Sequence, residues 1–418
     1  MRVSPAFRRL WWGLGLSNLG TQLTVVAVGL QIYDITASTF SVGLLGIFAL
    51  VPLVALGLYG GAIVDAYDRR KVALIASLCL WVVVLGLVAQ ALLQLNSEWL
   101  LYGLVALQSA GFAINNPART AIIPRLIEPP LLPAANVLQT VAWNVALTVG
   151  PLLAAFLVAG PGFGAAYAVD AVLFTAALWA LWRLPDLPPV ASTTSRRSRL
   201  GLGAVADGLR YLATRPNVRM TFVVDLIAMI LAMPRVLFPA IGVLFLGGGA
   251  FTTGVLSSAF AAGAVLAGLF SGGLVRVVHQ GRVIVASIAV FGLAVAGLGV
   301  VLVLTGETSP PAVLWLPLVV AGLFLALAGG ADSVSSVFRQ TILQSATPDD
   351  MRGRLQGIFI VVVAGGPRIG DLALGSFATW TAESWAALVG GLLCVVLVIA
   401  VTAAQRGFWA YDARHPQP

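Results

Sequence analysis

Apolar positions along the chain gather in runs of about 20 residues, the length an α-helix needs to cross a bilayer, and do not follow the period of a surface helix or an alternating strand. Twelve such runs can be placed, centred near residues 22, 53, 83, 110, 146, 172, 231, 262, 293, 324, 366 and 393. Polar residues collect between them. The longest polar stretch, 183–219, contains Pro185, Pro188, Pro189 and a Ser/Thr/Arg run over 192–199, and it falls between the sixth and seventh runs. The pattern predicts an all-α membrane protein of twelve transmembrane helices: an N-terminal six-helix bundle over 1–184, a cytoplasmic linker over 185–216, and a C-terminal six-helix bundle with a cytoplasmic tail over 217–418. Within the linker, 204–213 alternates at helical spacing and predicts a short amphipathic helix with Arg210 and Arg215 towards lipid headgroups. The basic start, Met1 to Leu10, has the look of a signal peptide, but the following run continues through Ser17, Asn18, Thr21 and Gln22 to Asp34, too long and too polar for an h-region, so it is read as the first span.

Composition agrees with the pattern. Of 418 residues 59% are apolar and 10% charged, where a soluble protein carries about a quarter charged residues. Mean hydropathy is +0.98 over the whole length. Lys71 is the one lysine, so no Gly-Lys-Ser/Thr run can hold nucleotide phosphates. Cys79 and Cys394 lie in apolar runs and His279 and His415 are far apart, which predicts neither a disulfide framework nor a metal site, and no cofactor. No polar segment groups a nucleophile, a base and an orienting residue, so an enzyme is not expected. The net charge of +8 would suit nucleic acid if it formed a basic domain. Instead the Lys and Arg residues occupy the termini and every second loop, including Arg339, while the loops near residues 36, 97, 160, 248, 307 and 381 carry none; only Arg235 and Arg368 fall inside spans. By the positive-inside rule both termini are cytoplasmic, in the cell membrane.

The two halves repeat one another. Gly60-Gly61 matches Gly272-Gly273, Arg119-Thr120 matches Arg339 and Thr341, and Gly150-Pro151 matches Gly366-Pro367, at offsets of 212, about 220 and 216 residues. Duplicated six-helix halves with substrate held near the midplane are a transporter architecture.

The loop after the second span, Gly61-Ala-Ile-Val-Asp65-Ala-Tyr-Asp68-Arg69-Arg70-Lys71, resembles the cytoplasmic gating motif of the major facilitator superfamily, with Ala66 where a basic residue is usual and Asp68 where a glycine is usual. Within that superfamily, Gln31-Ile-Tyr-Asp34-Ile-Thr-Ala-Ser-Thr39, Val236-Leu-Phe-Pro239-Ala and Thr341-Ile-Leu-Gln344-Ser-Ala-Thr-Pro348-Asp-Asp-Met-Arg-Gly353-Arg354 resemble the enterobactin-exporter-like branch of drug and siderophore efflux carriers. The resemblance implies the major facilitator fold and proton-driven export by a monomer. It also departs from the antiporter motifs: the fourth span has no Arg before Arg119, and Gly150-Pro151 lacks the following glycine pair.

Ionisable residues inside spans are costly and mark function or pairing. Asp225, in the seventh span, has no opposite charge three or four residues away and is the first proton-coupling candidate, with Asp371 and Asp170 beside it. A lone carboxylate at depth can load and release a proton as its exposure alternates. Arg368 and Asp371 share a helix face, either as an internal ion pair or as a site where substrate or proton competes. Arg235 is an anion contact or a partner for an acid such as Asp371; Asp170 and Asp332 also suit structural pairing. Candidate cavity residues are Arg235, Arg368, Asn115, Asn144 and Gln139, although amides also join helices. Gly150, Pro151, Gly366 and Pro367 are candidate flexing points. The expected function is proton-coupled efflux of small amphipathic molecules, drugs or siderophores, with a narrow siderophore or metabolite exporter, a passive facilitator and a sensor on the same scaffold as alternatives. Expected partners are the bilayer, a small-molecule substrate and protons.

Overall fold

The computed structural model describes residues 4–128, 131–187, 210–270, 277–347 and 349–414. Most of the linker, with the expected helix at 204–213 up to residue 209, lies outside the described residues, as do Gly272 and Gly273. Among the described residues, twelve long helices stand at the twelve apolar runs. The first six are α1 (Pro5–Thr36), α2 (Thr39–Ala66), α3 (Arg69–Leu92), α4 (Glu98–Leu126), α5 (Leu132–Ala159) and α6 (Phe163–Trp182). The second six are α7 (Pro216–Ala232, with a broken continuation), α8 (Ala250–Leu269), α9 (Gln280–Thr305), α10 (Trp315–Ser345), α11 (Asp349–Trp380) and α12 (Glu383–Ala404). A short α13 (Arg406–Trp409) follows. Ten of the twelve are long and apolar enough to cross a membrane by composition. The other two, α4 and α11, hold the polar residues discussed below: Asn115, Asn116 and Arg119 on α4, Arg368 and Asp371 on α11.

Helix ends follow local chemistry. Pro5 and Pro216 open α1 and α7, where a missing N–H costs nothing. Ser97 caps α4, its Oγ accepting from Leu100 N at 3.4 Å. Pro52, Pro117, Pro151 and Pro367 sit inside helices that continue through them. Thus α5 and α11 are unbroken at the two Gly-Pro steps. The break is in α7: beyond Met233 the chain passes through a 3-10 turn (Pro234–Leu237), a short helical piece (Phe238–Ala240) and a π turn (Ile241–Phe245). It then turns on Gly247, Gly248 and Gly249, all at positive φ (72°, 77° and 48°), a conformation side chains rarely adopt.

The chain divides into two compact units, Met1–Ala37 with Ile47–Leu200, and Ser38–Gly46 with Gly201–Pro418. The division passes through α2, whose first turns group with the second unit. In the first unit α1 packs on α5 and α6, and α3 on α4 and α6. In the second, α9 packs on α10 and α12, which repeats the α3 pattern six helices later. Leu10, Leu14, Ala73, Ala118, Ile122 and Leu181 form an apolar core in the first unit, while Ile75, Leu78, Val82 and Leu85 of α3 are exposed. Large apolar side chains turned outward suit a lipid environment, and close approach of small residues supplies the helix contacts.

Candidate transport site

The polar interior of the second unit begins on α7. Asp225 is 3% exposed, and Arg339 of α10, also 3% exposed, brings Nη1 to 2.8 Å from Asp225 Oδ1. Arg339 Nη2 lies 3.7 Å from Asp332 Oδ1, seven residues earlier on α10. From its place in the sequence Arg339 reads as one of the cytoplasmic basic residues; the structure puts it inside α10, buried against α7. Asp225 therefore has an opposite charge, but across helices, where spacing along one helix cannot reveal it. Asp225 Oδ2, Ser335 Oγ and Arg339 Nε have no hydrogen-bond partner among the described residues.

Arg235 stands at the α7 break and is exposed, its guanidinium 5.4 Å from the Phe260 ring centroid. It interacts electrostatically with Asp371 of α11 first and Asp332 second. Asp371 in turn feels Arg235 more strongly than Arg368, and no ion pair within 4.0 Å joins Arg368 to Asp371 among the described residues. Among the described residues neither Arg235 nor Arg368 comes within 4.0 Å of Asp371, which interacts electrostatically with both. Asp332, Arg339 and Asp225 are thus joined within 4.0 Å, while Arg235 and Asp371 interact electrostatically without an ion pair among the described residues.

Around these groups α2 contributes its first turns. Thr39 Oγ1 donates to Glu383 Oε1 at 2.5 Å. A Cβ on Gly43 would come to 2.6 Å from Asp371 O, and one on Gly46 to 2.5 Å from Arg368 O, so these glycines let α2 lie directly on α11.

The first unit is arranged differently. Asp170 of α6 is fully buried, accepts from Thr24 Oγ1 at 2.5 Å through Oδ2, and packs its Oδ1 over Gly20 of α1, where any Cβ would collide with it. No cation pairs with it among the described residues. Gln31 and Gln90 exchange hydrogen bonds at 3.2 and 2.9 Å, and Tyr167 OH donates to Gln31 Oε1 at 2.7 Å, joining α1, α3 and α6. Asn115, expected to line a cavity, is 2% exposed and donates through Nδ2 to Ser77 Oγ at 2.7 Å, so it joins α4 to α3 instead. Asn144 and Gln139 are half-buried on α5. Gly150 packs on α1, where its Cβ would lie 2.6 Å from Gln22 Cβ; Gly366 packs on Met229 of α7.

The gating segment is wired through Asp68. Its Oδ1 caps α3 by accepting from Lys71 N at 3.0 Å, and its Oδ2 accepts from Leu187 N at 2.9 Å. Arg69 Nη1 donates to Ala121 O at 3.3 Å. Arg70 binds Asp186 at 2.7 Å and donates to Trp182 O at 2.6 Å. An acid at the position where the superfamily motif has glycine thus fastens the α2–α3 turn to the segment that follows α6. Gly61 and Asp65 lie in the last turns of α2, with the Asp65 side chain outside the described residues.

The transmembrane secretion effector family, a branch of major facilitator transporters, matches residues 3–413. The chain belongs to this family. Among curated relatives, the enterobactin exporter EntS of Citrobacter koseri is 28% identical over 398 residues, covering 95% of this chain and 91% of that protein. The enterobactin exporter EntS of Escherichia coli O1:K1 is also 28% identical, over 413 residues, covering 98% and 94%. Among solved structures, the nucleoside transporter NupG aligns with a TM-score of 0.71 at 15% identity, over 96% of this chain and 99% of that one. A bacterial homologue of the iron transporter ferroportin aligns at 0.68 and 15% identity, over 95% and 98%. The fold of this chain is therefore the major facilitator fold, in a multi-pass membrane transporter.

Proposed function

We propose that the chain is a proton-driven exporter of small amphipathic molecules, of the drug or siderophore kind, working by alternating access in the cytoplasmic membrane. The observation that carries this reading is the buried Arg339 held between Asp225 at 2.8 Å and Asp332 at 3.7 Å. A proton arriving at Asp225 cancels its charge and leaves Arg339 with Asp332 as its remaining acid. Loss of that proton returns Arg339 to Asp225. Each transfer changes which acid holds Arg339, and so biases α7 against α10. In the second unit Arg235 and Arg368 are the substrate-side residues of this proposal, with Asp371 exchanging between Arg235 and an incoming group; in the first unit they are Asn144 and Gln139. Asp170 is the corresponding proton candidate of the first unit.

The names of the relatives favour a siderophore as one cargo, and the protein acts as a monomer with both termini cytoplasmic. The test is uptake of a fluorescent cationic dye into everted membrane vesicles energised by a pH gradient. Asp225→Asn should reduce uptake at least about tenfold, the scale at which a lost proton-transfer group is felt. Full uptake by both Asp225→Asn and Asp371→Asn would refute the coupling sites. Uptake that survives a protonophore would point to a passive facilitator instead.

A further inference from the structure

The duplicated halves carry arginines at matching places, and only one of them is neutralised. Arg339 on α10 has Asp225 at 2.8 Å and Asp332 at 3.7 Å. Its counterpart Arg119 on α4 makes no ion pair among the described residues. Its Nη2 donates to Ser77 Oγ of α3 at 3.1 Å, its guanidinium lies 5.6 Å from the Phe174 ring centroid of α6, and its Nε has no hydrogen-bond partner. Beside it, Asn115 is 2% exposed, with its Nδ2 on Ser77 and its Oδ1 unpartnered. Asp68, the described acid at the start of α3, is spent on the backbone N–H groups of Lys71 and Leu187. Ala118 and Ile122, which flank Arg119 on α4, are fully buried in the apolar core.

A guanidinium among helices with no counter-charge is expensive, because desolvation is not offset by attraction. An anion supplied from outside the chain offsets it, and a guanidinium with a free Nε beside a serine hydroxyl, whose oxygen is already held by Asn115 Nδ2 and Arg119 Nη2 so that its O–H is left to donate, is a fitting pair of donors for an oxyanion. The apolar surroundings select one carried on an apolar body. We infer that Arg119 and Ser77, with Asn115 holding the Ser77 hydroxyl, form a binding site in the first unit for the carboxylate or phosphate group of an amphipathic molecule, either a soluble cargo or an anionic lipid. Basic positions between transmembrane helices are places where lipid phosphates bind. The site does not depend on proton coupling.

The test uses the purified full chain. In dodecyl maltoside, octanoate and octyl phosphate should raise the melting temperature of the wild type, and octyl glucoside should not. Arg119→Gln should weaken the apparent affinity about tenfold or more, the scale of a hydrogen bond to a charged group. Ser77→Ala should weaken it less, and Arg183→Gln, at an exposed arginine, should leave it unchanged. In nanodiscs, stabilisation by phosphatidylglycerol over phosphatidylcholine that Arg119→Gln abolishes identifies a lipid phosphate; stabilisation by the soluble anions alone identifies a cargo group. Without ligand, Arg119→Gln should melt no lower than the wild type, whereas Arg339→Gln should melt lower. Equal anion responses in the wild type and Arg119→Gln, no response in either setting, or a ligand-free loss in Arg119→Gln matching that of Arg339→Gln would each overturn the inference.

Discussion

The side chains that decide this molecule's behaviour are charges held where charge is costly. Asp225 and Arg339 offset one another at 2.8 Å, and removing one leaves the other buried without its partner. Breaking such a pair typically costs about 3–5 kcal/mol, while replacing both partners by neutral groups costs much less. Arg339→Gln should therefore lower the melting temperature of the detergent-solubilised protein by several degrees, and Asp225→Asn/Arg339→Gln should recover most of the loss while remaining inactive in transport. A double variant as unstable as the sum of the single ones would show that the two residues do not act as a pair. Asp225 itself was legible in the sequence as a carboxylate at mid-span, and so were Arg235, Asp371 and Asp170. Arg339 was not, because its position beside Thr341 and near Arg352 and Arg354 reads as a helix end facing the cytoplasm. Only the length of α10, which continues to Ser345, shows that it lies inside. Arg368 and Asp371 have the spacing of a pair, yet no ion pair within 4.0 Å joins them among the described residues, and Asp371 also interacts electrostatically with Arg235 at the α7 break.

At the scale of elements, the twelve helices were legible because each needs its own long apolar run, and their repeat because landmarks recur at nearly one offset. At the two Gly-Pro steps, read as candidate flexing points, the helices continue: in α5 and α11 the small glycine packs on Gln22 and Met229, and the proline lies within the helix. The α7 break is made by Met233-Pro234 and the three glycines after Leu246. Close approach also explains the C-terminal tail. A Cβ on Gly281 of α9 would collide with Phe408 O, Ala413 N donates to Val278 O at 3.0 Å, and Arg282 lies 5.9 Å from the Trp409 ring centroid. Gly281→Val should thus dislodge α13 and expose the tail from residue 405 onward to limited proteolysis, while a substitution at the open Gly268 should not. Likewise Asp68→Ala removes a helix cap worth about 1 kcal/mol together with the clamp on Leu187, and should increase hydrogen exchange at the start of α3.

For the whole molecule, the family and the major facilitator fold establish a multi-pass membrane transporter, and the distribution of arginine over alternate loops supplies its proposed orientation. A fluorescent protein fused at either terminus should mature in the cytoplasm, and single cysteines near residues 97, 160 and 307 should react with an impermeant thiol reagent added outside intact cells; reaction of tail cysteines instead would invert the topology. The central claim is that inward proton movement drives export through the Asp225–Arg339 pair. It is tested most directly in proteoliposomes holding a pH-sensitive dye, by recording the proton flux that an amphipathic cationic dye evokes. The wild type should show a flux opposite in direction to dye movement, reduced at least about tenfold in Asp225→Asn. Dye transport with no accompanying proton flux, or an undiminished flux in Asp225→Asn, would contradict it.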